Sequence, residues 1–256
     1  MEKVYAPTFW DILTRSLLAG LVAGAILAIF HLAFTEPVID MAIGYESALG
    51  GMSAPDAPAP THADVSRSVQ RVGLVVGFVA YGVFLGALFG AAYYVSRRLR
   101  VIDGAKGNGA VMGAMAYWAV ALIPFLRYPA NPPAVGDPES IGQRQALFLS
   151  VMGLALVGVA LTLAMKALLS SRGALAGRQP LQWAVCLAGY GLYSLGLYLA
   201  MPPNPDSIPI PMDVVTSFRA LSMIGLTIFW ATMTAVFLWM QRRERQGIAS
   251  LAQGTL

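Results

Sequence analysis

His31, Glu36, Asp40 and Glu46 stand within one run of sixteen residues, "HLAFTEPVIDMAIGYE". Together they offer the imidazole nitrogen and carboxylate oxygens that a divalent transition-metal ion accepts. A second pair, Asp137 and Glu139, is two residues apart in a turn bent by proline, so both carboxylates can converge on one cation. Each residue also has a plainer role open to it. An imidazole at membrane depth can hydrogen-bond a neighbouring helix, and Glu36, Asp40 and Glu46 can be solvated acids of the interface. Asp137 can pair with Arg127 or Arg144 and fix a loop, and Asp213 with Arg219 poses the same choice. The chain holds just two histidines, His31 and His62, which excludes an all-histidine site within one copy. Cys186 is alone in an apolar run, with no partner for a disulfide or a CxxC site, and reads as packing. Met112 and Met115 share a helix face and Met201 and Met212 flank a loop. Thioether sulfur suits copper(I) better than harder ions, so these methionines read as gap fillers.

The elements that position these groups follow from composition. The chain is 57% hydrophobic and 12% charged, with a mean hydropathy of +0.64. A soluble domain carries about twice that share of charge. Apolar blocks near 12–35, 72–96, 107–126, 145–165, 181–200 and 220–240 are each long enough to cross a bilayer core of roughly 30 Å as a helix. The runs are continuous and do not alternate with period two, which favours helices over a β-barrel. The expected fold is therefore an all-α polytopic membrane protein, one transmembrane domain of six helices arranged as three helical hairpins. The apolar run from Ser16 to Ala33 exceeds the usual length of a secretory signal and is followed by bulky residues, so it is expected to stay as the first span. Pro37 is expected to end that helix.

Charge sets the expected orientation. With the N-terminus inside, twelve Lys and Arg fall on the cytoplasmic side and five outside, which places both termini in the cytoplasm. Nine of the thirteen acids fall outside, so the outer face is net negative and concentrates cations over a screening distance of roughly 8 Å. The basic pI of 9.3 reflects short loops beside apolar spans, and nucleic-acid binding is not supported. Glycines at helical spacing, Gly20 and Gly24, Gly73 and Gly77, Gly82, Gly86 and Gly90, Gly109 and Gly113, mark close helix contacts, static or moving. Tyr93, Tyr94, Tyr117, Trp118, Tyr128 and Trp239 lie near span ends, where most are expected to anchor at headgroups.

Three outer loops share a plan. The first holds a Pro/Ala-rich stretch, expected to be flexible over 47–66. The second is "RYPANPPAVGDPESIGQR" and the third "MPPNPDSIPIPMDVVTSFR". Each finishes on an arginine six or seven residues after an acid: Asp64 and Arg71, Asp137 and Arg144, Asp213 and Arg219. The proline runs cannot be helix and cannot face lipid, so they are expected to form a preshaped outer lid that includes Pro129, Pro132, Pro133 and Pro138.

The run "FLRYPANPPAVGDPESIGQR", Phe125 to Arg144, resembles the hallmark of the CbtA family, the proposed cobalt transporter subunits. Its letters Arg127, Tyr128, Pro129, Asn131, Pro132, Pro133, Gly136, Asp137, Pro138 and Arg144 carry the likeness. "TEPVIDMAIGYE" and "FRALSMIGLTIFW", which contains Arg219, resemble further family segments. The resemblance implies an inner-membrane protein that moves Co²⁺ inward for corrinoid synthesis, together with CbtB, a small single-span partner with a histidine-rich tail. The family is usually described with five spans, where the apolar blocks here number six. No bound cofactor is expected; Co²⁺ would be cargo. The alternative is a scaffold or accessory subunit that docks a partner through its proline-rich loops and passes no ion. An intramembrane enzyme is disfavoured, since HExxH, a phosphate loop and a nucleophile constellation are all missing from the sequence.

Overall fold

A computed structural model describes residues 7–52, 66–98, 108–171 and 177–254. His62 and the greater part of the loop expected to be flexible, residues 53–65, lie outside the described residues. In chain order the helices are α1 Phe9–Phe30, α2 Glu36–Met52, α3 Arg67–Arg98, α4 Asn108–Ala116, α5 Ile123–Arg127, α6 Ile141–Ser171, α7 Gln179–Ala200 and α8 Met212–Gly254. Two π-helical segments, His31–Thr35 and Tyr117–Leu122, join α1 to α2 and α4 to α5, and a single 3₁₀ turn, Pro138–Ser140, leads into α6. Among the described residues there is no strand, and six helical stretches are long and apolar enough to cross a membrane.

The boundaries differ from expectation at Pro37 and at the start of the last helix. Helix does not stop at Pro37 but continues to Met52, so residues 47–52 are helical and not flexible loop. The π segment just upstream gives the reason. The Glu36 amide donates to the His31 carbonyl, five residues back, so the turn holds one residue more than an α-turn. Proline in a regular helix has no N–H to donate and presses its ring on the carbonyl four residues earlier; a widened turn relieves that clash. Pro124 follows the second π segment at the same two-residue distance and is likewise carried within helix. In the third loop, helix begins at Met212, so Asp213 and Arg219 belong to α8 and not to the loop.

The chain divides into two compact units. One takes the chain up to Ile29, Arg71–Ala116 and the chain from Thr227. Its α1 and α3 touch backbone to backbone: a Cβ on Gly20 would lie 2.1 Å from the Gly82 carbonyl oxygen, and one on Gly86 2.3 Å from that of Ser16. Gly109 and Gly113 of α4 sit against Leu238 and Thr234 of α8. Gly73 and Gly77, by contrast, have open space where a Cβ would go, so that part of the glycine pattern marks no contact. Tyr93 is a core residue and not an anchor: it is 1% exposed, its ring meets Phe237 edge-on, and its hydroxyl donates to Gln241 Oε1 at 3.3 Å.

The other unit takes Phe30–Gln70 and Tyr117–Leu226. Here α6 and α7 pack against each other, with Tyr190 and Tyr193 of α7 donating to the carbonyls of Ala155 and Leu154. Lys166, expected at the span's edge, is buried with its ammonium 5.1 Å from the centre of the Trp183 ring. The second π segment and α5 lie on this pair, and Trp118 donates to Ser194 at 3.2 Å. Tyr128 is buried, with its hydroxyl on the Pro202 carbonyl. Trp118 and Tyr128 therefore bond within the protein, where headgroup anchoring was expected.

Glycine contacts of backbone on backbone leave no side chain to move aside. Gly82→Leu is expected to destabilise the protein by about 3 kcal/mol or to abolish folding, because overpacked cores relax poorly. Gly77→Ala, in open space on a helix, is expected to be neutral or to stabilise by up to about 1 kcal/mol. Thermal unfolding of the purified variants in detergent measures both.

Candidate functional site

Arg67, in the first turn of α3, draws the first acidic group together. Its Nη2 lies 2.9 Å from Glu36 Oε2 and 2.5 Å from Asp40 Oδ1. Glu36 and Asp40 are four residues apart on α2, hence on one helix face. The Glu36 side chain is 7% exposed and that of Asp40 48%, so the pair runs from a buried carboxylate to a wet one. His31 is buried, and its Nδ1 lies 2.8 Å from Thr35 Oγ1. The π segment places His31 and Glu36 one wide turn apart, so imidazole and carboxylate share a side of the helix. Chemically the pair is two carboxylates on one cation, the Arg67 guanidinium, with the His31 imidazole bonded to Thr35 one turn earlier.

Glu46 stands apart from this group. It is exposed and lines a cleft of about 710 Å³ with Leu49, Pro133, Val135, Ile141 and Arg144 among others. Asp137 Oδ1 accepts the Glu139 amide at 2.9 Å and caps the 3₁₀ turn, and both residues are exposed. Among the described residues no three His, Cys, Asp or Glu side chains form a metal-holding group.

The two proline-rich loops are held by a different acid from those expected. Arg144 approaches Asp206, with Nε 3.3 Å from Oδ1, and only its Nη2 reaches Asp137, at the backbone carbonyl. Arg127 bonds the carbonyls of Met201 and Pro202 and stacks over Tyr198 at 5.1 Å. Arg219 donates to Asn131 Oδ1 at 2.8 Å, and Asn131 Nδ2 in turn bonds Asp206 Oδ2. Asp213 is exposed in the first turn of α8, where a carboxylate is favoured by the helix dipole, and does not pair with Arg219. The expected acid and arginine pairs of the second and third loops are therefore replaced by one shared node on Asp206, whose side chain is 3% exposed. Sequence reasoning missed Asp206 because its partners are 62 and 75 residues away, at no helical or loop spacing.

The backbone fits this node. The Gly136 amide donates to the Ser207 carbonyl at 3.1 Å, with Gly136 at φ +89°. The positive φ calls for glycine, and a Cβ there would lie 2.4 Å from Arg144 Nη1 and 3.0 Å from Asp206 Oδ1, so a side chain would push Arg144 off the node. The Val135 amide donates to the Pro132 carbonyl and closes a turn with Pro133 second and Ala134 third at φ +67°, a position that glycine normally takes in such turns. Pro129 lies outside helix between Tyr128 and this turn, and Pro138 opens the 3₁₀ turn. Beneath them Val38 and Ala42 of α2, Val135, Ile210, Val214 and Val215 form one apolar cluster. The second loop, the third loop, α2 and the start of α8 thus share a core.

The model of the CbtA family, described as a probable cobalt transporter subunit, matches residues 9–242. No curated protein and no solved structure matches the chain.

Asp206→Asn keeps the shape but leaves Arg144 and Arg219 short of their common counter-charge. It is expected to cost about 3 kcal/mol, as removal of one member of a buried ion pair does. Gly136→Ala is expected to cost about 2 kcal/mol from backbone strain and the clash with Arg144. Thermal unfolding in detergent reads both, and a value near zero for Asp206→Asn would show that the node does not hold the loops.

Proposed function

The chain belongs to the CbtA family of probable cobalt transporter subunits, and on that premise we propose that it is the membrane subunit of a Co²⁺ uptake system that feeds corrinoid synthesis. Its six apolar helices and its family make it a multi-pass membrane protein, and a transporter subunit is not an enzyme class. In this reading the membrane is the inner membrane, both termini are cytoplasmic, the helices form three hairpins, and the proline-rich loops lie outside. A small single-span, histidine-rich subunit of the CbtB kind delivers the ion.

The observation that carries the reading is the convergence of Glu36 and Asp40 on one cationic group, 2.9 and 2.5 Å away, beside the buried His31. Carboxylates already arranged about a guanidinium are spaced to share a cation. Their graded exposure suits transfer from water to a buried ligand set, where binding must replace hydration yet still release. Asp137, Glu139 and Glu46, all exposed, act in this reading as contacts that gather cations ahead of that set.

A second reading, a scaffold that passes no ion, draws on the cleft beside the loops. Its wall is apolar and proline-rich, with Glu46 and Arg144 supplying one charge of each sign, which suits a peptide segment of a partner.

Uptake of ⁵⁷Co in a strain without other cobalt and nickel importers separates the two. The gene is expected to restore uptake, and Glu36→Gln with Asp40→Asn to lower it by about tenfold or more, the cost of a lost charged contact. His31→Ala is expected to act in the same direction. Uptake that is unchanged by all three, with complex assembly lost in Arg144→Ala, selects the scaffold.

A further inference from the structure

The unit built from α1, α3, α4 and the later part of α8 has a polar site that neither reading uses. Gln241 of α8 is 6% exposed; its Oε1 accepts from the Tyr93 hydroxyl, while its Nε2 is buried and meets no acceptor on the described chain. Arg97, one turn beyond Tyr93 on α3, has its Nη1 buried and equally without an acceptor, and its guanidinium lies 6.0 Å from the centre of the Tyr93 ring. Two buried donors therefore flank one tyrosine.

A third set of donors approaches from α4. Gly109 opposes Leu238 and Gly113 opposes Thr234, so α4 and α8 run antiparallel and the first turn of α4 points toward Gln241. Phe237 links the two, close to Gly109 on one side and 5.0 Å from the Tyr93 ring on the other. The opening amides of a helix have no partner within it and carry the positive end of its dipole. Charge at this end of the unit agrees. Among its described residues Arg15, Arg97, Arg98, Arg242 and Arg243 stand against Asp11 and Glu244. Asp11 is bonded to Thr8 and Glu244 to Arg15.

We propose that Arg97, Gln241 and the first turn of α4 form a binding site for a phosphate group. Neutral water could answer one donor; a guanidinium, an amide and a helix N-terminus at one end of the unit, linked through Tyr93 and Phe237, suit an anion with several acceptor oxygens. The span-end position suits the headgroup phosphate of an anionic lipid, and the same chemistry would take a free phosphate.

The test uses the full chain in detergent. Short-chain phosphatidylglycerol, phosphatidylcholine and inorganic phosphate, the last against chloride at equal ionic strength, are titrated while thermal unfolding is followed. Phosphatidylglycerol is expected to raise the midpoint more than phosphatidylcholine. A rise with inorganic phosphate as well assigns a site open to free anions, and a rise with the lipid alone assigns the headgroup; either supports the proposal. Arg97→Gln is expected to weaken the effect about tenfold, the worth of a charge-assisted hydrogen bond, and Arg98→Gln, exposed and one residue on, to leave it unchanged. Gln241→Met keeps the volume without the amide and carries the test if Arg97→Gln does not fold. Absence of a midpoint rise with both phosphate probes, or equal weakening by Arg97→Gln and Arg98→Gln, overturns the proposal.

Discussion

Backbone that cannot be helical has nowhere to put its polar groups beside hydrocarbon except on other protein groups. In this chain the two proline-rich loops solve that problem for each other. Arg127 and Tyr128 take the carbonyls of Met201 and Pro202, Gly136 takes that of Ser207, and Asn131 with Arg144 takes the carboxylate of Asp206. Each loop supplies what the other lacks. The glycine at position 136, the turn at Ala134 and the apolar layer below all follow from bringing these two segments into register.

Much of this was open to inspection in the amino-acid order, and the rest was not for identifiable reasons. The six apolar blocks are set by bilayer thickness, and each is found as a helix. That "YPANPP" and "PPNPDSIPIP" avoid helix follows from proline alone. The same rule ends the first helix at Pro37, where the chain in fact stays helical, because a π turn is a backbone adjustment with no side-chain signature. The loop arginines stand out in the sequence, but nearness in sequence pairs them with the wrong acids. Asp206 prevailed over Asp137 and Asp213 because it is the acid that the fold buries between two loops. A local count of charges carries no such information.

The candidate cation group shows a similar division. Glu36 and Asp40 share a face by helical spacing, and that was legible. Arg67 was not, since it stands 31 residues from Glu36, across the stretch that includes residues 53–65. Glycines show the limit from the other side. Gly20, Gly82 and Gly86 meet backbone, whereas Gly73 and Gly77, at the same spacing, meet nothing. Spacing identifies which glycines can form a contact; only the partner helix decides which do.

The π segment at His31–Thr35 has a further implication. It amounts to one surplus residue in a rod that otherwise advances by about 100° per position. Excising a single residue there would restore the ordinary winding and swing the whole of α2 around its axis, carrying Glu36 and Asp40 away from Arg67 while altering none of the three. The number of residues between Phe30 and Pro37 is thus as much a part of this group as the identities of the side chains within it.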